Sequence, residues 1–258
     1  MRRRKPHILL TNDDGIYAPG LAALKKALER MADVCVVAPD AEQSAVGHSV
    51  TLSHPLRVRE VRLGRRLFGH AVDGAPADCV KLGILQILKK SPDLVVSGIN
   101  LGANAGINVL YSGTVAAAIE GAMFGIPALA VSLEVRDAPD FAYAAQVAAK
   151  LARKMLEMPA GRGLLLNLNV PALPRRRIKG VRLTRQCKAV WRERYERRTD
   201  PRGRTYYWIV GELEPSEQDR ETDVAVLGRG YCSITPLQFD LTDREAFEKL
   251  QSLALTDL

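Results

Sequence analysis

Short apolar runs alternate with stretches of helical periodicity over the first 170 residues of this 258-residue chain. The runs are apolar throughout, as in HILLT at 7–11 and VCVVA at 34–38, whereas a strand with one side in water would alternate apolar and polar residues. Between them, Leu21, Leu24 and Leu28 recur at helical spacing. This order predicts a doubly wound, Rossmann-like α/β fold, in which helices cover both faces of a mostly parallel sheet.

The pattern changes after residue 170. Segments 178–187 and 204–210 are typical of long strands, and a polar turn at 200–203 is predicted to join them as a β-hairpin arm. The arm is too polar to form a second core. We therefore interpret the whole chain as a single domain, with an α/β core over 1–170 and a C-terminal arm and oligomerisation elements over 171–258.

The chain is predicted to end in an amphipathic helix. Thr242 or Asp243 is suited to be its N-cap, and Phe247, Leu250 and Leu253 form an apolar stripe. An arm and a helix of this kind need a surface to pack on. A second subunit is the natural candidate, so we expect a homo-oligomer.

Hydrophobic residues make up 47% of the chain and charged residues 26%, which is ordinary for a soluble globular protein. No run approaches the ~18 apolar residues of a membrane span, and the N-terminal segment MRRRKPHILLT has too short an apolar core for a signal peptide. We therefore expect a cytoplasmic protein. Its four cysteines are widely spaced, without a C-x-x-C pair, which favours buried free thiols over disulfides or a zinc site.

The net charge of +8 is concentrated in one segment. Residues 175–204 contain thirteen lysines and arginines and three acids, a balance of +10, so the rest of the chain is close to −2. We interpret the segment mainly as a solvated arm. Two alternatives stay open, namely attraction of anionic substrates and, with less support, binding of nucleic acid.

Oxygen-bearing side chains follow the strands of the predicted sheet. Asp13 and Asp14 follow strand one, Ser44 follows strand two and Asn100 follows the strand at 93–97. Because ligands of open parallel sheets bind beyond the carboxyl ends of the strands, we expect these side chains to reach one crevice. An oxygen-only set favours Mg²⁺, Mn²⁺ or Ca²⁺ over zinc, and a cation would offset the repulsion between the adjacent carboxylates. The alternative for the two aspartates is a turn followed by a helix N-cap.

A second feature is the sequence Ser112-Gly113-Thr114, which precedes a predicted helix. Free N–H groups, the positive end of the helix dipole and two hydroxyls would hold an anion at this point. An S-G-T before a helix is also an ordinary N-cap. Since it follows the loop that carries Asn100, we interpret it as a phosphate site beside the metal.

Several long motifs occur in order over residues 7–132, and a further one lies near the C-terminus. They are LLTNDDGIYAPGL, APDAEQSAVGHSVTL, GAPADCVKLG, VSGINLGANAGINVLYSGTVAAAIEG and GYCSITPLQFDLT. Together they closely resemble the SurE family of survival-protein phosphatases, which are metal-dependent 5'/3'-nucleotidases.

The resemblance implies removal of phosphate from nucleoside 5'- and 3'-monophosphates, often with activity on short polyphosphate, and a dimer or tetramer built by exchange of C-terminal elements. It implies one divalent cation, Mg²⁺ or Mn²⁺, per subunit. The family's metal ligands match Asp13, Asp14, Ser44 and Asn100, and its phosphate-binding S-G-T matches Ser112 to Thr114. The chain departs from the family where Asn108 replaces a frequent aspartate and GAP replaces GTP, which leaves substrate preference open.

Direct attack on phosphorus by water that the cation activates would need no covalent intermediate. We expect Asp13 or Asp14 to act also as a general base or to organise the transition state, together with Asn12 and Asn104. No acid for the leaving group is evident in the sequence. His48 is a weak candidate for it, and the alternative is a structural or exposed histidine.

Three other classes of protein fit the sequence less well. A response-regulator receiver also places paired acids after strand one, but it needs an aspartate at the end of its third strand, where this chain has VVSGIN. A haloacid-dehalogenase-type phosphatase needs D-x-D, which NDDG does not supply. A nucleic-acid-binding module would rest on the arginine-rich segment alone.

Overall fold

The structure, a computed structural model, describes residues 4–135, 139–158, 163–188, 191–213, 220–251 and 253. The strands within these ranges are β1 (His7–Thr11), β2 (Asp33–Pro39), β3 (Val58–Leu63), β4 (Arg66–Val72), β5 (Leu94–Leu101), β6 (Ala128–Leu133), β7 (Leu165–Val170), β8 (Val181–Leu183), β9 (Trp191–Thr199), β10 (Thr205–Leu213) and β11 (Cys232–Leu237). The α-helices are α1 (Pro19–Leu28), α2 (Pro76–Leu82), α3 (Gly113–Met123), α4 (Phe141–Glu157), α5 (Asp223–Gly228) and α6 (Arg244–Gln251).

A nine-stranded sheet in the order β3-β4-β2-β1-β5-β6-β7-β11-β8 forms the centre of the fold. The six strands from β4 to β7 are parallel to one another, while β3 and β11 run antiparallel to their neighbours β4 and β7. The prediction of a mostly parallel, doubly wound α/β fold is therefore confirmed. The chain order reverses beside β1, which pairs with β2 on one side and with β5 on the other.

Both faces of the sheet are buried, which explains the continuous apolar runs. In β1, Ile8 and Leu10 belong to the core beneath α1 and α4, whereas Leu9 belongs to the core beneath α2 and α3. Successive strand residues point to opposite faces, so a strand covered on both sides buries side chains at successive positions and favours apolar residues throughout. The sheet thus holds the ends of its central strands in a fixed arrangement.

The segment after residue 170 differs in part from the prediction. The turn near 200–203 joins β9 and β10 as an antiparallel hairpin, as predicted. The prediction of a long strand over 178–187 is wrong, because only β8 forms there, and it pairs with β11 at the edge of the main sheet. Two strands from beyond residue 170 thus complete the sheet of the α/β core, and the division into core and C-terminal elements stays a prediction.

Three further features are the C-terminal helix, the cysteines and the character of the helices. Helix α6 occupies the position of the predicted C-terminal helix and leaves Phe247 and Leu250 exposed. All four cysteines are free thiols, three of them buried and Cys35 half-buried. In the described part of the chain, no helix combines the length and apolar character needed to cross a membrane.

Candidate active site

A cavity of about 430 Å³ opens at the carboxyl ends of β1 and β5, where the strand order reverses. Such a reversal leaves a crevice because the connections on its two sides turn away from each other. Its lining residues include Asp13, Asp14, Glu42, Ser44, Ala45, Asn100, Asn104, Asn108, Tyr111 and Ser112. The structure therefore brings together all four side chains that the sequence analysis assigned to a metal.

The turn after β1 presents the two aspartates to the cavity. Asn12 is fully buried, and its Nδ2 donates to the carbonyl of Gly15 at 3.0 Å. Gly15 has a φ of +93°, and a side chain there would also approach the carbonyl carbon of Ala41 at 3.2 Å. Asn12 does not line the cavity, so its place in the structure is that of a turn-forming residue, and its predicted part in catalysis is untested.

Asp13 lies against the N-terminus of α3. The Thr114 hydroxyl donates to Oδ1 of Asp13, and the Thr114 backbone N–H donates a hydrogen bond to the same carboxylate. Burial raises the pKa of Asp13, an effect that the Thr114 hydrogen bonds partly offset. A methyl group on Gly113 would lie 2.9 Å from Cβ of Asp13, so glycine permits this close approach. The Thr114 hydroxyl hydrogen therefore goes to Asp13, rather than to the anion that the sequence analysis assigned to it.

Asp14 extends towards β5, where the backbone N–H of Leu101 contributes a hydrogen bond. Partial burial and, next, the neighbouring charge of Asp13 raise the pKa of Asp14 to about 6. Both effects disfavour a second negative charge in this cavity. The pair is therefore electrostatically unfavourable when ionised, and a bound cation would relieve it.

Asn100 and Ser44 supply neutral oxygens to the same cavity. The Asn100 Nδ2 donates to the carbonyl of Gly102 at 2.8 Å, which leaves the Oδ1 of Asn100 as the remaining acceptor. The exposed Ser44 hydroxyl donates to Oε1 of Glu42. The donor set of two carboxylates, an amide oxygen and a hydroxyl fits a hard divalent cation.

Asn104 lies in a buried polar network beside the cavity. Its Nδ2 donates to Oγ of Ser132 at 2.9 Å, and its backbone N–H donates to Oδ1 of Asn169 at 2.8 Å. Its carbonyl accepts from Asn167 at 2.7 Å and from Asn169 at 3.1 Å. The loop that follows β5 is thereby fixed to β6 and β7, so Asn104 has a structural anchor in addition to its predicted part in catalysis.

Ser112 caps α3 and also faces the cavity. Its Oγ accepts from the backbone N–H of Val115 at 3.1 Å, which is the ordinary N-cap bond considered as the alternative in the sequence analysis. The cap uses the oxygen as an acceptor, so the hydroxyl hydrogen is still able to donate to an anion in the cavity. Capping and anion binding are therefore compatible at this residue.

Two contributions to the site were missed in the sequence. Glu42 adds a third carboxylate to the cavity, and its charge raises the pKa of Asp13 and of Asp14. Asp223, from α5, accepts from the backbone N–H groups of Gly106 and Cys187 at 2.9 Å and so holds the loop beside Asn104. Glu42 stands two residues before Ser44, a spacing that could have drawn attention to it. No local pattern marks Asp223.

His48 does not line the cavity. Its Nε2 is hydrogen bonded to Oε2 of Glu120 at 2.8 Å, and Glu120 belongs to α3. The proposed leaving-group acid is therefore directed towards a buried carboxylate. Asn108, by contrast, lines the cavity.

The family model for survival protein SurE matches residues 8–193 of the 258-residue chain. The chain belongs to the SurE family. The match includes every residue named above as lining the cavity, whereas Asp223 lies outside it. It extends from β1 into β9 and so covers most of the nine-stranded sheet.

Named SurE relatives align over nearly the whole chain. The 5'-nucleotidase SurE of Syntrophus aciditrophicus (strain SB) is 51% identical over 246 residues, which cover 95% of this chain and 92% of the relative. The 5'-nucleotidase SurE of Symbiobacterium thermophilum is 50% identical over 252 residues, with coverage of 96% and 98%. The crystal structure of the SurE protein from Aquifex aeolicus shares the fold with a TM-score of 0.84 at 42% identity, covering 95% of this chain and 98% of that one.

The raised pKa of Asp14 predicts a pH dependence of stability in the metal-free chain. A folded-state pKa of about 6, above the ordinary 3.8, contributes stability at low pH that is lost as the pH rises through 6. In EDTA, Asp14→Asn should therefore raise Tm relative to the unsubstituted chain at pH 7.5, and by less at pH 4.5. Because Asp14 is only partly buried, we expect about 2–4 °C at pH 7.5.

The predicted role of Asp14 as a metal ligand implies that added Mn²⁺ should reverse the order of the two proteins, since a ligand of the native state stabilises only the chain that binds it. Differential scanning calorimetry at both pH values, with EDTA and with Mn²⁺, measures all four differences. An equal effect of Asp14→Asn at pH 4.5 and 7.5 would contradict the assigned ionisation.

Proposed function

We propose that the protein is a metal-dependent phosphomonoesterase that removes phosphate from nucleoside 5'- and 3'-monophosphates and from short polyphosphate. The observation that carries the proposal is the cavity in which Asp13 and Asp14 lie beside Ser112 at the start of α3. It combines a cation site with an anion site, as phosphate-ester hydrolysis requires. The relatives named 5'-nucleotidase SurE support nucleotides as the substrate class.

The metal ligands in this proposal are Asp13, Asp14, Ser44 and Asn100, with one Mg²⁺ or Mn²⁺ per chain. Their oxygens match the preference of these cations. The raised pKa values of the two aspartates indicate that their ionised forms are unfavourable without a positively charged partner. When bound, the cation supplies Lewis-acid polarisation of the phosphate ester and activation of water.

The residues of the chain bind and orient the substrate. The Ser112 hydroxyl and the backbone N–H of Gly113 at the start of α3 donate to the phosphoryl oxygens in this proposal, where the helix dipole also favours negative charge. Asp14, which also lines the cavity, accepts a proton from the attacking water in this proposal. Asn104 and Asn108 border the same cavity and orient the ester.

A phosphate-release panel tests the proposed function. Enzyme saturated with Mn²⁺ or Mg²⁺ is assayed with AMP, GMP, dUMP, 3'-AMP, triphosphate and, for comparison, a sugar phosphate. We expect release from the nucleoside monophosphates with kcat/KM at least ~10-fold above that for the sugar phosphate. Equal turnover of all the monoesters would contradict the proposed nucleotide specificity. No release from any of them would contradict the proposal that the protein is a phosphatase.

The proposal includes a homodimer or homotetramer formed through the C-terminal elements. The hairpin of β9 and β10 forms a sheet of its own. Its exposed aromatic and apolar residues include Tyr195, Tyr206, Tyr207, Trp208 and Ile209. An isolated two-stranded hairpin is marginally stable in water, so a neighbouring subunit would supply its packing surface.

Replacing residues 191–213 with a short Gly-Ser linker should lower the molar mass in solution while the α/β core stays folded. The deletion leaves out 185–188, because Gln186 donates to the carbonyl of Gly106 at 2.8 Å and belongs to the site. Light scattering measures the mass, and circular dichroism checks the fold. An unchanged mass would show that the hairpin does not hold the oligomer.

A further inference from the structure

The connection between β2 and β3 carries Ser44 but contains no helix or strand over residues 40–51. We name these residues the Ser44 loop. Two backbone hydrogen bonds hold it at the cavity, from Gln43 N–H to the carbonyl of Asp13 at 2.8 Å and from Gly47 N–H to the carbonyl of Tyr111 at 3.1 Å. A loop of this length with so few backbone bonds needs further anchors to keep one conformation.

Two buried carboxylates from the helices supply such anchors. Asp78 of α2 accepts from the backbone N–H of Thr51 at 3.1 and 3.2 Å. Glu120 of α3 is only 2% exposed, and its Oε2 is hydrogen bonded to Nε2 of His48 at 2.8 Å. The His48 side chain is thus the one side chain of the Ser44 loop for which the described residues show a bond to a helix.

Glu120 is a charged group in the interior, which is costly without partners. Lys81 of α2 supplies a second partner, with Nζ 2.8 Å from Oε1 of Glu120, and it also lies 5.8 Å from the centre of the Phe124 ring. Burial alone would raise the pKa of Glu120, but the bonds from His48 and Lys81 outweigh it and lower the pKa. The carboxylate therefore stays ionised at neutral pH and remains hydrogen bonded to His48.

Glu120 and Gly113 lie seven residues apart on α3, which is two helical turns, so they share a face of the helix. The same helix thus presents its N-terminus to the cavity and its buried carboxylate to the Ser44 loop. A displacement of His48 would move the loop relative to the start of α3. The distance between the Ser44 oxygen and the proposed phosphate site depends on this connection.

We infer that Glu120 and His48 form a positioning pair, which fixes the Ser44 loop against α3 and thereby sets the affinity for the divalent cation. The inference rests on the proposed metal site and deepens it by assigning residues that lie outside the cavity. Neither residue touches substrate or cation in this account. Partners that orient a metal ligand commonly contribute 10- to 100-fold to metal affinity.

The test compares His48→Ala with His48→Gln, in which the amide nitrogen replaces the Nε2 donor. His54→Ala is the matched control, since His54 belongs to the same connection and, among the described residues, its side chain is hydrogen bonded to its neighbour Ser53 rather than to a helix. In metal-free protein, hydrogen exchange by mass spectrometry should show faster deuterium uptake over 43–51 for His48→Ala, but not for His48→Gln or His54→Ala. Unchanged uptake in that variant would overturn the inference without reference to metal or activity.

Calorimetric titration with Mn²⁺ gives the second readout. We expect Kd to rise about 10-fold for His48→Ala and for Glu120→Gln, and to change less than about twofold for His48→Gln and His54→Ala. The double variant His48→Ala/Glu120→Gln should bind Mn²⁺ no more weakly than the weaker single variant, because both substitutions act on the same contact. Multiplied effects in the double variant would overturn the pairing.

Failure of the proposed metal site and failure of the positioning pair give different results. If the unsubstituted chain binds no Mn²⁺, the proposed metal site is wrong. If it binds Mn²⁺ and His48→Ala binds equally well, the site stands and the positioning pair is wrong. Since His48 lies on a loop, His48→Ala is expected to fold even if Glu120→Gln, which alters a buried charge, does not.

Discussion

Asp14→Asn is expected to lower phosphate release from AMP by about 100-fold or more while the fold is kept. Asparagine preserves the shape of the side chain but removes the charge that would hold the cation and the oxygen that would accept the proton of the attacking water. Removal of one electrostatic contribution to a transition state typically costs 10²–10³ in kcat. Steady-state kinetics with AMP and a thermal unfolding scan measure the two properties.

Asp33→Asn is the matched control for this experiment. Asp33 is the first residue of β2 and lies at the opposite end of the strands from the cavity. Its exposed carboxylate pairs with Lys5. Its replacement should leave kcat/KM within about twofold, since exposed ion pairs contribute little. If Asp14→Asn stayed within threefold of the unsubstituted chain, Asp14 would lose its assigned role.

Asp13→Asn should give a similar loss of activity together with a change in stability. Asp13 accepts from Thr114 at the start of α3 as well as bordering the cavity, so its replacement alters both the proposed cation site and a buried hydrogen bond. Comparison with Thr114→Val separates the two parts. That variant lacks the hydroxyl but retains the carboxylate, and it should bind Mn²⁺ more strongly than Asp13→Asn does.

Chelation is the second large effect that we expect. Prolonged dialysis against EDTA should reduce phosphate release to the level of the buffer, and Mn²⁺ or Mg²⁺ should restore it. The ligand oxygens of the cavity carry no other positive partner among the described residues that line it, so the cation is the proposed source of charge neutralisation. Activity that persists after metal analysis shows less than ~0.05 equivalents per chain would contradict the proposal.

The fold was predictable from the sequence because the pattern that encodes it is long. Each central strand is mainly apolar, and both sheet faces are covered, as in β1. The edge of the sheet was not predictable, since Val181–Leu183 is exposed and only three residues long. Its pairing with β11 depends on a strand that lies some 50 residues later in the chain.

The site was predictable to the extent that its residues follow strands. Asp13, Asp14 and Asn100 lie where the ends of neighbouring parallel strands must converge, so their meeting follows from the topology. The hydrogen-bond partners of the site residues do not follow from the topology. The bonds from Thr114 to Asp13 and from His48 to Glu120 join positions 101 and 72 residues apart, and side-chain contacts at such separation leave no local pattern.

One measurement tests the central claim most directly. A crystal grown with Mn²⁺ and inorganic phosphate gives an anomalous difference map at the manganese edge, which locates the cation without reference to activity. We predict one manganese peak per chain within about 2.0–2.6 Å of oxygens from Asp13, Asp14, Ser44 and Asn100, the range of hard-cation ligation. Phosphate should lie beside it at Ser112 and Gly113, and a manganese peak elsewhere, or phosphate bound away from α3, would contradict the account.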